Sequence, residues 1–129
     1  MAKLIDFGVS HVLESPQSPD GLKQTEGTYH FMPPESCDPD VDTFSGKAAD
    51  VWALGVTSFC LLFNKCPFWG QSDYQLMESI RNDPVLVPPV EERQVSPELM
   101  AIVLSMLEKN PDTRAKLPDI LANEWLNTD

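Results

Sequence analysis

KAADVWALGVTSFCLLF, residues 47–63, is long enough for an α-helix and carries apolar side chains on nearly every face. A helix apolar all round is covered on all sides, so this stretch belongs at the centre of a domain. Asp50 stands near its N-terminal end, where the helix dipole favours a negative charge. The apolar run from Val51 to Phe63 is interrupted by Thr57 and Ser58 and falls short of the roughly 20 residues that span a bilayer.

Reading outward toward the C-terminus, CPFWG is a turn, and Ser72 with Gln75 forms a capping box for the helix SDYQLMESIRN. PVLVPPVEERQV is a proline-broken connector. Ser96, Pro97 and Glu98 then supply an N-cap, a first-position proline and a first-turn acid. Behind them Leu99, Ile102, Val103, Met106 and Leu107 recur at helical spacing. A last helix is predicted from about Pro118 to Leu126. Toward the N-terminus, SCDPDVDTFSG (36–46) is irregular, and HFMPPE (30–35) is excluded from a helix interior because Pro33 and Pro34 lack backbone donors. ESPQSPDGLKQTEG (14–27) has no periodicity and reads as a loop, while AKLI (2–5) reads as a short strand entering a turn at Asp6-Phe7-Gly8. Four or more helices and one marginal strand define a mainly α domain.

The 129 residues fit one domain and include 12 prolines, in keeping with many loops. A net charge of -11 argues against nucleic acid, whose phosphates require a basic surface. The three cysteines, Cys37, Cys60 and Cys66, are odd in number and show no CxxC spacing. Reduced thiols are expected, in an intracellular protein of the cytoplasm or nucleus with no membrane association. Asp38, Asp40 and Asp42 alternate like the start of a calcium loop. Thr43 stands where that loop needs Gly, however, and Ala49 where it needs Glu, so a solvated acidic loop is the better reading. His11 and His30 have no nucleophile in a recognisable setting and read as ordinary loop residues.

An acid at a strand end before a flexible glycine is well placed to hold a metal ion, but Asp-Phe-Gly alone is weak evidence. The ordered set carries the weight: IDFG, GTYHFMPPE, FSGKAADVWALGV, CPFWG and LEKNPDTR. Together these resemble the second half of a protein kinase catalytic domain, from the DFG motif to the final helix, over essentially the whole chain. Within the kinases the central helix and its flanks look most like the calcium/calmodulin-dependent protein kinase kinases.

The resemblance implies roles residue by residue. Asp6 matches the carboxylate that binds the magnesium bridging the ATP phosphates, with Phe7 as the apolar plug and Gly8 completing that cofactor-binding motif. Gly27 and Thr28 match the substrate-facing end of the activation segment, although Tyr29 replaces the usual proline. Thr25 is either a phosphorylated activation-loop residue or a plain exposed hydroxyl. Pro33-Pro34-Glu35 matches Ala-Pro-Glu, and Glu35 then pairs with Arg114 across the helical lobe, a structural contact suited to the arginine fork. Asp50 and Trp52 match the structural acid and indole that open the central helix, where the acid bonds the catalytic-loop backbone.

Within these 129 residues there is no glycine-rich phosphate loop, no strand lysine, and no His-Arg-Asp loop with its Asn. The reading is therefore a truncated kinase domain comprising the C-terminal helical lobe, without the N-lobe or catalytic loop. Residues 1–8 form strand and DFG, 9–35 the activation segment, and 36–129 the helical subdomain. The catalytic base lies outside the chain. The parent is expected to be a serine/threonine kinase using ATP and Mg2+, with protein substrates, other kinases among them. The chain alone is expected to bind neither ATP nor Mg2+, to be inactive, and to self-associate in place of the missing N-terminal part. The alternative is a non-catalytic helical module derived from a kinase that binds partners.

Overall fold

Four helices and a two-stranded sheet organise residues 3–23, 26–89 and 95–127, which the computed structural model describes. Helix α1 spans Gly46–Phe63, α2 Asp73–Asn82, α3 Pro97–Met106 and α4 Leu117–Leu121. Each of the first three starts on a serine cap. Ser45, Ser72 and Ser96 accept from the backbone N–H of Ala48, Gln75 and Leu99 respectively. At α2 the return half of the capping box differs from expectation, because Gln75 Oε1 reaches the N–H of Gln71 (3.0 Å) instead of that of Ser72. Asn64 ends α1 in the left-handed conformation, φ 52° and ψ 31°, with its N–H on the Cys60 carbonyl.

The core forms where α1 meets α3. Val51, Trp52, Val56 and Phe59 interlock with Met100, Val103, Met106 and Leu107, while Phe68, Leu76, Ile80 and Ile120 close the sides. Gly55 makes the approach possible: a Cβ there would stand 2.8 Å from Met106 Cβ and 3.1 Å from Leu107. Burying such a set supplies the main driving force for the fold. The stripe read from the sequence is the buried one, with Ile102, Val103, Met106 and Leu107 inside, Leu99 partly so, and Met100 joining them.

Helix α1 leaves Leu54 44% and Leu61 82% exposed, as expected of a central helix whose remaining faces are covered only in a complete domain, because the described elements pack on one face. Three expectations are corrected. The helix, read as too short for a bilayer, has the length and apolarity of a membrane span, and one face of it (Val51, Trp52, Gly55, Val56 and Phe59) is buried against the other described elements. Residues 3–7 form no strand. Leu4 and Ile5 are exposed, since a strand needs a neighbour for its backbone groups and none of the described residues supplies one; Ala2 lies outside the described residues. The last helix stops at Leu121 and resumes as a 3-10 turn, Glu124–Asn127. Asn123 Oδ1 accepts the Trp125 N–H while Asn127 Nδ2 donates to the Leu121 and Asn123 carbonyls, so side-chain amides replace the helical ladder.

The loop read over residues 14–27 is partly ordered by the sheet. Strand β1, Gly21–Leu22, pairs antiparallel with β2, Phe44–Ser45, in the register Gly21 to Ser45 and Leu22 to Phe44. This fastens the first part of the loop to the start of α1.

Candidate functional site

Phe7 to Ser10 form a tight turn with Gly8 and Val9 at its centre, and Asp6 directly precedes it rather than ending a strand. Asp6 takes a left-handed conformation (φ 62°), which a short acidic side chain tolerates. The turn is closed by the Ser10 N–H and hydroxyl on the Phe7 carbonyl, at 3.1 and 2.7 Å. Phe7 is 67% exposed, so the residue matched to an apolar plug fills no pocket here. Asp6 is exposed, with only a long 3.5 Å contact from the Gly8 N–H. Among the described residues no three His, Cys, Asp or Glu side chains cluster as metal ligands. One solvated carboxylate does not make a magnesium site, so these residues by themselves do not fit the ion.

Gly27 has φ 120°, a conformation open to glycine, and Thr28 leads directly into the 3-10 turn Tyr29–Phe31. The Phe31 N–H bonds the Thr28 carbonyl, and the Thr28 hydroxyl caps nothing and is exposed. Neither Gly27 nor Thr28 contacts the Asp6 turn through any hydrogen bond between described residues. Thr25 lies outside the described residues.

The residues the structure does bring together are Glu35 and Arg114. Glu35 sits in the 3-10 turn Pro34–Ser36, and Arg114 in the turn before α4. Arg114 Nη1 and Nη2 donate to Glu35 Oε1 and Oε2, both at 2.7 Å, with side-chain exposures of 0% and 7%. The remaining donors are also satisfied. Nη1 reaches the Ala48 carbonyl (2.9 Å), Nη2 that of Lys109 (3.2 Å) and Nε that of Glu108 (2.8 Å). All five N–H groups of the fork thus have acceptors, which offsets the cost of burying the charge. The guanidinium also lies 5.0 Å from the Trp52 ring.

Trp52 is fully buried and stacked on Phe68 at 5.6 Å, and its Nε1 has no hydrogen-bond partner among the described residues. Asp50, one turn from the N-terminus of α1, keeps solvent access and accepts no hydrogen bond from any described residue. Partial desolvation pushes its carboxyl up from the usual range.

Two residues that the sequence reading missed complete the arrangement. Asp20 caps α1 from the loop: its Oδ2 accepts the Ser45 hydroxyl (2.6 Å) and the Lys47 N–H (2.9 Å), and its carbonyl accepts the Gly46 N–H. Those bonds, the Ser45 one foremost, hold its carboxyl below the usual value. Lys47 Nζ returns to the Pro16 carbonyl at 2.6 Å. Lys109 lies over Phe68 at 4.0 Å and Trp52 at 5.8 Å, donating to the Ser79 and Ile80 carbonyls at the end of α2. Burial brings its ammonium pKa down to about 8. The Asp20 cap was hidden because its partner, Lys47, is 27 positions away in sequence. Lys109 was hidden because a lysine beside a turn usually points to water. Between the loop, α1 and the turn before α4 runs a groove of about 1430 Å³, lined by Asp20, Phe44, Lys47, Leu54, Pro111 and Leu117 among others. It contains no residue of the Asp6 turn and neither Gly27 nor Thr28.

A buried Glu–Arg fork tying an activation-segment end to a helical body built on a central helix is what the ordered motifs imply. The protein kinase domain family matches residues 1–126, and the chain belongs to that family. Its relatives include serine/threonine-protein kinase ssp1 of Schizosaccharomyces pombe, 36% identical over 95% of this chain and 20% of the relative. The calcium/calmodulin-dependent protein kinase kinase cmkC of Emericella nidulans is 36% identical over 96% of this chain and 23% of its own length. The calcium/calmodulin-dependent protein kinase kinase of Caenorhabditis elegans is 35% identical over 98% and 23% respectively. The chain therefore spans about a fifth of the length of these curated relatives.

Proposed function

We propose that this chain supplies the activation segment and C-terminal helical lobe of a serine/threonine kinase catalytic domain that transfers the ATP γ-phosphate to protein substrates. The observation that supports this reading most is the buried Glu35–Arg114 fork, which ties the turn Pro34–Ser36 to the turn before α4. Residues 1–8 serve as the DFG segment, 9–35 as the activation segment and 36–129 as the helical subdomain. In the complete domain Asp6 faces the ATP-bound magnesium, with Phe7 and Gly8 setting its backbone. Gly27 and Thr28 meet the substrate, while Glu35, Asp50, Trp52 and Arg114 hold the frame. Asp50 finds its partner in the catalytic loop supplied from outside these residues. The names of two relatives support kinases as substrates, and three unpaired cysteines suit a cytoplasmic or nuclear setting.

The 129 residues contain no catalytic base, nucleotide-binding lysine or glycine-rich loop, so the chain alone neither holds ATP nor transfers phosphate. A segment exchange tests both halves of the reading. Residues 3–127 replace the matching segment of the Caenorhabditis elegans relative, and phosphate transfer to a protein substrate is measured. The chimera is expected to be active and to lose activity with Asp6→Ala, while the 129-residue chain shows no transfer and no ATP affinity. A folded but inactive chimera would favour the second reading, a partner-binding helical module. That reading draws on the exposed Phe7 and on the absence of a hydrogen bond between Asp6 and Thr28.

A further inference from the structure

The last turn of α1 and the segment that follows it place two cysteine sulfurs side by side. Cys60 Sγ and Cys66 Sγ are 3.7 Å apart, in van der Waals contact, and both residues are partly exposed. The contact is built by the backbone. Asn64, left-handed and bonded through its N–H to the Cys60 carbonyl, turns the chain back so that Cys66 returns over the helix end. Pro67 and Phe68, both buried, then anchor the returning segment, Phe68 by its stack on Trp52. The third cysteine, Cys37, is bonded to neither of the other two, and burial pushes its thiol up.

We infer that Cys60 and Cys66 form an oxidant-responsive dithiol that closes to a disulfide on exposure to a peroxide, a modification site independent of the kinase reading. A disulfide needs a sulfur separation of about 2.05 Å, so the atoms must approach by about 1.6 Å. The chemistry has a direction. Cys60 S–H donates to Cys66 Sγ, and burial together with that bond raises the Cys60 thiol to about 11, so it keeps its proton. Cys66 is then the sulfur that is oxidised first.

Its thiolate attacks one peroxide oxygen, the O–O bond breaks, and the departing hydroxide takes up a proton to leave as water, giving the sulfenic acid. Cys60 next passes its proton to the sulfenic oxygen and attacks Cys66 sulfur as the thiolate. The S–S bond forms as the S–O bond breaks, and the protonated oxygen leaves as a second water. Two electrons pass from the two thiols to one peroxide. The product staples the end of α1 to the Pro67–Phe68 anchor and hence to the approach to α2, and an external thiol reverses it.

The 129-residue chain is treated with hydrogen peroxide, blocked with N-ethylmaleimide and mapped by mass spectrometry. The expected result is the loss of two hydrogen atoms, a Cys60–Cys66 cross-linked peptide and Cys37 alkylated, all reversed by dithiothreitol. With Cys60→Ser, Cys66 is expected to be trapped by dimedone as the sulfenic acid, and Cys37→Ser should leave the cross-link yield unchanged. Because the two cysteines are close in sequence, the same treatment in urea is the control, and there the cross-link yield should fall several-fold. Three alkylated cysteines, a cross-link containing Cys37, a sulfinic Cys66 without cross-link, or equal yields in urea would each overturn the inference. The wild-type mapping decides even if a variant fails to fold.

Discussion

Replacing Arg114 by alanine removes a guanidinium whose five N–H groups all have acceptors and whose side chain is fully buried. The Glu35 carboxylate stays behind, on a side chain 7% exposed, together with the carbonyls of Ala48, Glu108 and Lys109 that had shared the same fork. Leaving one partner of a buried pair uncompensated costs about 3–5 kcal/mol. Arg81 is the internal reference. Its side chain is 30% exposed, and its contacts to Asp38 (3.5 Å) and Glu78 (3.0 Å) are of the surface kind, worth under about 1 kcal/mol. With a urea slope of about 1–3 kcal/mol per molar, Arg114→Ala should lower the unfolding midpoint by about 1–5 M, against at most about 1 M for Arg81→Ala. Arg114→Lys should fall between, keeping the charge but losing the two parallel bonds to Glu35. The double variant Glu35→Ala with Arg114→Ala should lose less than the two single losses combined, because no carboxylate is then stranded. Equal midpoint shifts for Arg114→Ala and Arg81→Ala would refute the reasoning, since the fork would then be no better shielded than a surface pair.

Gly55→Ala should destabilise by about 1–3 kcal/mol, because the new methyl meets Met106 Cβ at 2.8 Å and α1 must part from α3; an unchanged melting temperature would count against that packing. Lys109 titrates near pH 8 in the folded chain and near 10.5 when unfolded, so the unfolded chain binds the extra proton between those values and stability rises with pH across that window. Urea midpoints at pH 7 and pH 9.5 should show wild type gaining on Lys109→Met as pH rises, and parallel behaviour would refute the assignment. The 129-residue chain should self-associate through the exposed Leu4, Ile5, Phe7, Val9 and Val12 and the open face of α1. Light scattering on a sizing column at low micromolar concentration tests this, and a monodisperse monomer would show that the described core closes itself.

Much of this protein is local physics and was legible in the residues. Serine caps at Ser72 and Ser96, the proline opening α3 and the helical stripe ending at Leu107 depend on neighbours within a few positions, so spacing alone reveals them. Glu35 and Arg114 were legible for another reason, since the ordered motifs identify both residues although they lie 79 positions apart. Contacts between distant segments with no motif were not legible. Asp20 reads as one more loop acid until β1 and β2 pair and set it over the N-terminus of α1, and nothing in the sequence near Lys109 announces the Trp52–Phe68 stack beneath it. The strand at residues 2–5 failed for the converse reason: its pattern is right, but strand hydrogen bonds need a partner that the described residues do not provide. The same holds for the central helix. Its sequence fixes that it is apolar all round, and only the tertiary structure decides which face is covered, because burial is a property of the neighbours as much as of the side chain.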